Sequence, residues 1–195
     1  MEEYSDEELM SLAASNDIHA FEELFRRYNR RLFAFFYRLL PDVEEAKDCS
    51  QETFLRLWRD RARYSRKGSF STYLFRIAKN HFVDRYRQQK SRINLQPISP
   101  DCSVAGSEKP GLPGDPFNMT VENEIESVIA SAIARLPETH RLVYVLSEEQ
   151  RLSYREIADI LGCPVGTVSS RKVEALKKLR ELLRPLRNEL LNDGS

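Results

Sequence analysis

The chain has 195 residues and carries 30 basic and 30 acidic side chains, with 41% hydrophobic and 31% charged residues. That length supports one ordinary domain or two small ones, each needing its own core, and the apolar fraction argues against wholesale disorder. No apolar run approaches the roughly eighteen residues of a membrane span, and the start, Glu2-Glu3-Tyr4-Ser5-Asp6, is acidic where a secretory signal is basic.

In chain order the pattern is helix after helix. Ser5 with Glu8 predicts a capped first helix and Ser15-Asn16-Asp17 a break. From Ile18 to about Leu40, Phe21, Leu24, Phe25, Tyr28, Leu32, Phe35, Phe36 and Leu39 recur at three- and four-residue spacing. Pro41-Asp42 ends that helix and starts another, 43 to about 60; a further one runs from about 71 to 91. Residues 94–120 lose the pattern and hold five of the nine prolines, with Gly106, Gly111 and Gly114, so they read as a linker. Periodicity returns at 121 and continues to about 191, broken near Pro137, Leu152 and Gly162. The expected fold is all-α: two small helical domains, 1–93 and 121–195, on a tether of residues 94–120.

Zero net charge taken whole argues against a polyanion partner, but the charges are not mixed. Residues 1–55 hold 6 basic and 13 acidic side chains; residues 56–92 hold 12 basic ones against Asp60 and Asp84. Residues 93–126 are acidic again, and 165–187 carry a net +5. Two basic segments parted by acid suggest two polyanion-facing surfaces. Within 56–92, Trp58, Tyr64, Phe70, Tyr73, Phe75, Phe82 and Tyr86 interleave with the cations. Aromatic faces stack on unpaired bases while cations follow phosphates, so this segment suits single-stranded nucleic acid. The helical spacing of Phe75, Phe82 and Trp58 also suits a core.

The stretch from Ser153 to Val168 has the punctuation of a helix-turn-helix. Ser153 and Glu156 form a capping box, Ile157, Ile160 and Leu161 a buried stripe, and Ala158 a close crossing. Gly162 suits a left-handed helix exit and Pro164 the first turn of the next helix. That helix is expected to bury Val165, Val168, Leu176, Leu179 and Leu183. Its other side presents Thr167, Ser170, Arg171, Glu174 and Lys178, a polar face suited to a DNA major groove.

Several motifs together carry a family likeness. Residues 20–28 (AFEELFRRY), 48–58 (DCSQETFLRLW) and 70–80 (FSTYLFRIAKN) resemble region 2 of bacterial extracytoplasmic-function sigma factors. Residues 136–141 (LPETHR) and the helix-turn-helix through 166–171 (GTVSSR) resemble their region 4. The resemblance implies a non-catalytic subunit that gives RNA polymerase promoter specificity, in the cytoplasm and without a cofactor. It implies that Asp48, Gln51, Glu52, Leu55, Trp58 and Arg59 dock on the β′ clamp helices of core polymerase. It implies that Tyr64, Lys67, Ser69, Phe70, Tyr73, Arg76, Asn80, Asp84 and Arg87 read and melt the minus-ten element, with Tyr64 and Tyr73 stacking and Asn80 at a base edge. Thr167, Ser169, Ser170, Arg171, Glu174 and Lys178 would read the minus-thirty-five element, and that domain would sit at the β flap. The linker would pass near the RNA exit path, and an anti-sigma factor would be a further partner. The chain departs from the family pattern at Ser169, where many relatives are basic, and at Glu174 and Leu176, where they carry arginine.

Two other classes fit less of the chain. A stand-alone helix-turn-helix regulator explains 121–195 but not the aromatic-basic segment. An enzyme needs an acid, base or metal set that these residues do not assemble. Cys49, Cys102 and Cys163 show no CxxC, which points to neither a disulfide framework nor zinc. His19, His81 and His140 are assigned no chemistry.

Overall fold

A computed structural model describes residues 4–40, 42–66, 68–93 and 121–185. All regular structure among them is helical, and the chain divides into two compact units, one N-terminal and one C-terminal. The expected linker, Pro41, Lys67, Cys102 and the tail carrying Arg187 lie outside the described residues.

In the first unit, α1 (Asp6–Ala14) starts on the capping box: the Glu8 N–H donates to Ser5 Oγ at 3.2 Å and the Ser5 N–H to Glu8 Oε2 at 2.8 Å. It ends where Asn16 takes φ 71°, a left-handed conformation that asparagine tolerates better than most. Asp17 caps α2 (Ile18–Leu39), accepting from His19 and Ala20 N–H. Asp42 caps α3 (Val43–Arg59), and after a single 3-10 turn at Arg61–Arg63 comes α4 (Phe70–Ile93).

The helix α2 packs on the other three, with Leu24, Leu32, Phe35 and Phe36 fully buried. Phe35 meets Phe75 edge-on at 5.4 Å, and Tyr28 meets Phe70 at 5.0 Å. Such ring pairs add about 0.5–1.5 kcal/mol each beyond the area they bury. Arg27 ties α2 to α1. Its guanidinium donates to Asp6 at 2.8 Å, to the Tyr4 carbonyl at 3.0 Å and to Glu23 at 2.7 Å. Hydrogen bonds from Arg26 and Arg27 hold the Glu23 carboxyl down to about 2.

Phe70 departs from its expected place beside DNA. Its side chain is fully buried, because Phe70, Leu74, Ala78 and Phe82 form one inward stripe at four-residue spacing. The start of α4 is held from outside its own neighbourhood, as Glu7 of α1 accepts the Phe70 N–H at 2.8 Å. Ser69 Oγ accepts the Thr72 N–H at 3.3 Å and shares a 2.8 Å bond with Thr72 Oγ1. Ser69 therefore spends its hydroxyl on closing the first turn.

The second unit comprises α5 (Val121–Ala134), α6 (Glu138–Tyr144), the first part of α7 (Tyr154–Leu161) and α8 (Val165–Leu182). A wide π turn over Val145–Glu149 extends α6, a feature that periodicity does not reveal. Ile133, Leu142, Val143, Leu146 and Ile157 build the core with Val168, Ala175 and Leu179 of α8. Two residues expected inside are not: Val165 is 46% and Leu176 38% exposed, while Leu161 and Leu183 are half-buried. The stripe set by Val168, Ala175 and Leu179 is narrow, and a residue turned about 100° from it leaves the contact. Lys172 occupies the stripe instead, its ammonium paired with Glu148 and placed over the Tyr154 ring.

Burial sorts two neighbouring candidates. Phe70→Ala should destabilise the first unit by about 3–5 kcal/mol, whereas exposed Asn80→Ala should stay within about 0.5 kcal/mol; urea midpoints decide. Acid should weaken this unit in two stages. Burial first, and Arg56 next, press His81 below its ordinary 6.5, so the unfolded chain takes up the proton more readily and stability falls as pH drops below 6.5. Glu23, at 4.5 unfolded and about 2 folded, contributes stability above pH 4.5 that is lost as pH falls through 2. His81→Leu should flatten only the first stage in a pH series of urea midpoints.

Candidate partner and nucleic-acid interfaces

The first surface lies between α2 and α3. Ile18, Phe21, Phe25, Gln51, Phe54, Leu55 and Trp58 line an open groove of about 400 Å³. Ile18 is 54%, Phe25 40% and Leu55 56% exposed, so apolar side chains that a core would have absorbed face water together. Phe21 meets Trp58 in a tilted contact at 4.9 Å, and Arg61 covers that indole at 3.9 Å. Asp48, Gln51, Leu55 and Arg59 are exposed along α3, with Glu52 half-buried and bonded to Arg56 at 2.9 Å. The six residues singled out on this helix thus fall on one side of it. Spacing alone missed the contribution of α2, since Phe25 repeats like a core residue.

The second surface is the outer side of α4. Arg76, Asn80, Asp84 and Arg87 are exposed at three- and four-residue spacing, opposite the stripe of Phe70 to Phe82. Tyr73 is half-buried, its ring 5.2 Å from that of Tyr64. Burial raises the pKa of both phenols, and the Tyr64 hydroxyl is enclosed without a hydrogen-bond partner among the described residues. Gly68 takes φ 126° in the loop before α4, a conformation that favours glycine. Arg66, Arg76, Lys79 and Arg87 form no ion pair among the described residues. Burial first, and then repulsion from Arg76 and Arg87, depresses Lys79, with Asp84 opposing the shift. Eight of the nine sequence candidates can be located here. Tyr73, Arg76, Asn80, Asp84 and Arg87 share a face with Tyr64 beside it, Ser69 caps the helix, and Phe70 lies in the core.

The third surface is on α8. The Ser153–Glu156 capping box forms, and Gly162 exits α7 at φ 66°. Pro164 sits at the N-cap of α8, just before the first turn. Ser170, Glu174 and Lys178 are exposed at four-residue spacing, flanked by half-buried Thr167 and Arg171; Ser169 lies on the opposite flank. Sequence reasoning missed Val173, which is 64% exposed on the side away from the core. A lone β-branched residue reads as interior unless the register of the stripe is known. Lys177, Lys178, Arg180 and Arg184 form no ion pair among the described residues. Glu174 is bonded across to His140 of α6 at 2.7 Å, a partner 34 residues away.

Comparison with known proteins places these surfaces in context. Residues 24–92 match Sigma-70 region 2 and residues 127–179 match Sigma-70, region 4. The RNA polymerase sigma-H factor of Pseudomonas aeruginosa is 32% identical across 94% of this chain and 96% of its own length. The ECF RNA polymerase sigma factor SigW of Bacillus subtilis is 34% identical across 87% and 92%. Among solved structures, CnrH in complex with the cytosolic domain of CnrY shares the fold with a TM-score of 0.70 at 24% identity, over 93% of this chain and 99% of that one. The sigma factor RpoE in complex with the anti-sigma factor NepR from Bartonella quintana gives 0.68 at 22%, over 84% and 96%. Among the described residues no helix is long and apolar enough to cross a membrane.

The groove makes its own prediction. Leu55→Ser should leave the unfolding free energy from urea titration within about 0.5 kcal/mol of the parent, because Leu55 already faces water. Phe54→Ala, at 4% exposure, should cost about 3–5 kcal/mol.

Proposed function

Because the chain belongs to the extracytoplasmic-function family of RNA polymerase sigma factors, non-catalytic subunits that direct promoter-specific transcription initiation, we propose that its two helical units divide docking and promoter reading among the three surfaces. The α2–α3 groove takes the β′ clamp helices of core polymerase. Its apolar floor offers Phe21, Phe25 and Leu55 to a partner helix, and the rim of Asp48, Gln51, Glu52 and Arg59 supplies register. The outer side of α4 reads the minus-ten element. Arg76, Lys79 and Arg87, which form no ion pair among the described residues, follow the phosphates, Tyr64 and Tyr73 present rings to unstacked bases, and Asn80 can both donate and accept at a base edge.

Buried Phe70 and capping Ser69 act in this reading by setting the start of α4. Promoter melting then follows from capture energy: a base held outside the stack no longer closes the duplex. The second unit enters the major groove at the minus-thirty-five element through α8, beside the β flap. Residues 94–120 connect the two near the RNA exit path. Domain limits of 1–93 and 121–195 and a cytoplasmic location belong to the same reading. An anti-sigma factor is a further partner, supported by the Bartonella RpoE complex, and an exposed apolar groove is a surface such a partner can cover.

One observation carries this proposal. The apolar groove on α2 and α3 and the basic outer face of α4 belong to the same small unit, so a helix of the polymerase and a single strand can be held side by side. Purified chain mixed with core polymerase and promoter fragments should yield run-off transcripts and co-elute with core; failure of both would overturn the proposal. Leu55→Asp should abolish co-elution, since a carboxylate would enter the apolar floor. Asn80→Ala should retain co-elution yet reduce permanganate reactivity of the melted strand roughly five- to a hundredfold, the range of one base-edge contact.

A further inference from the structure

Glu174 poses a problem for a helix that enters a major groove. An acidic side chain near phosphates is repelled, and a long flexible one loses rotamer freedom when held to one base. The structure supplies a device against both costs. Glu174 Oε2 lies 2.7 Å from His140 Nε2, and His140 comes from the first turn of α6, which packs against α8. Lys178 lies one turn ahead of Glu174 on the same helix, at the spacing that favours an ion pair. The carboxylate nevertheless takes its partner from α6.

The chemistry of the pair fixes its direction. An ionised carboxylate can only accept, so Nε2 carries the proton and donates. In the neutral ring Nδ1 is then an acceptor, and the Thr139 hydroxyl stands 3.4 Å from it. The His140 side chain is 20% exposed and that of Glu174 66%, so the imidazole is seated while the carboxylate reaches outward. One carboxylate oxygen is engaged and the other remains an acceptor on the outer side of the helix. An exposed pair of this kind adds little to folding stability. What it provides is a single aim for a side chain that would otherwise sweep many positions.

We propose that His140 is a positioning residue that holds Glu174 as the acceptor for a cytosine amino group in the minus-thirty-five element. Cytosine is the base whose major-groove edge offers a donor without a neighbouring acceptor, the match for a carboxylate. This rests on the reading of α8 as the major-groove helix. It adds a residue that lies outside the recognition helix and makes no base contact itself.

The test is selection by holoenzyme, core polymerase plus this chain, from promoters with a fixed minus-ten element and a randomised minus-thirty-five element. The parent should enrich cytosine at one position. His140→Ala should reduce that enrichment at least about fivefold while leaving other positions unchanged, and His140→Gln, which restores a donor near Nε2, should recover most of it. His140→Ala combined with Glu174→Ala should be no worse than Glu174→Ala alone. Unchanged cytosine preference in His140→Ala would overturn the proposal. So would an even loss at every position, or no recovery in His140→Gln. A parent that shows no preference anywhere in the randomised element would instead overturn the major-groove reading of α8, and the proposal with it.

Discussion

Phe70 is held twice, its N–H by the Glu7 carboxylate and its ring against Tyr28, at the place where α1, α2 and α4 meet. From this joint the register of α4 follows. Once Phe70 is inside, four-residue spacing carries Leu74, Ala78 and Phe82 inside with it and turns Arg76, Asn80, Asp84 and Arg87 outward. Side chains that must hold one arrangement need a rigid element, because contacts made by a loose loop spend their energy on ordering it. Here α1 supplies that rigidity. Arg27 binds Asp6 and the Tyr4 carbonyl, so the short first helix is locked to α2 before Glu7 reaches across to α4.

The acids of the first unit are used close to home, which explains how a chain of zero net charge presents basic faces. Glu23 takes Arg26 and Arg27, Glu52 takes Arg56, and Glu45 takes Arg85. Each of these pairs lies within or between α2, α3 and the inner flank of α4. The cations on the outer side of α4 remain without such partners among the described residues, and so do Lys177, Lys178 and Arg180 of α8. The zero total and the local excess of positive charge are therefore two views of one arrangement. Neutrality overall limits indiscriminate attraction to DNA, while each face keeps a field effective within about a Debye length.

The groove and the α8 pair show how far the chain could be read before its contacts were known. The outward side of α3 was legible because Asp48, Gln51, Glu52, Leu55 and Arg59 share one helical face, a fact of geometry that needs no partner. The other wall was not, since Phe25 and Ile18 on α2 repeat like core residues and only packing leaves them uncovered. The helix-turn-helix was legible from Ser153, Glu156, Ala158 and Gly162, each of which solves a local problem of capping, crossing or backbone conformation. The burial of α8 was misjudged at Val165 and Leu176. Apolar character does not say which of several neighbouring stripes meets α6, and a change of one position turns the face by about 100°.

What the amino-acid order determined by itself was local and periodic: helical class, caps, breaks, two separate stretches of helical pattern, and the segregation of charge. These depend on residues within a few positions of one another, whose interactions survive in any fold that keeps the helices. Tertiary structure decided matters that join distant residues. It placed Phe70 in the core rather than beside DNA, brought Glu7 to the start of α4 across 63 positions, opened the groove between α2 and α3, and set His140 against Glu174. The physical reason is that burial and hydrogen bonding are properties of pairs. A helix carries on its own chain the rule for which residues share a face, but which face is covered, and by what, is settled only when another helix packs there.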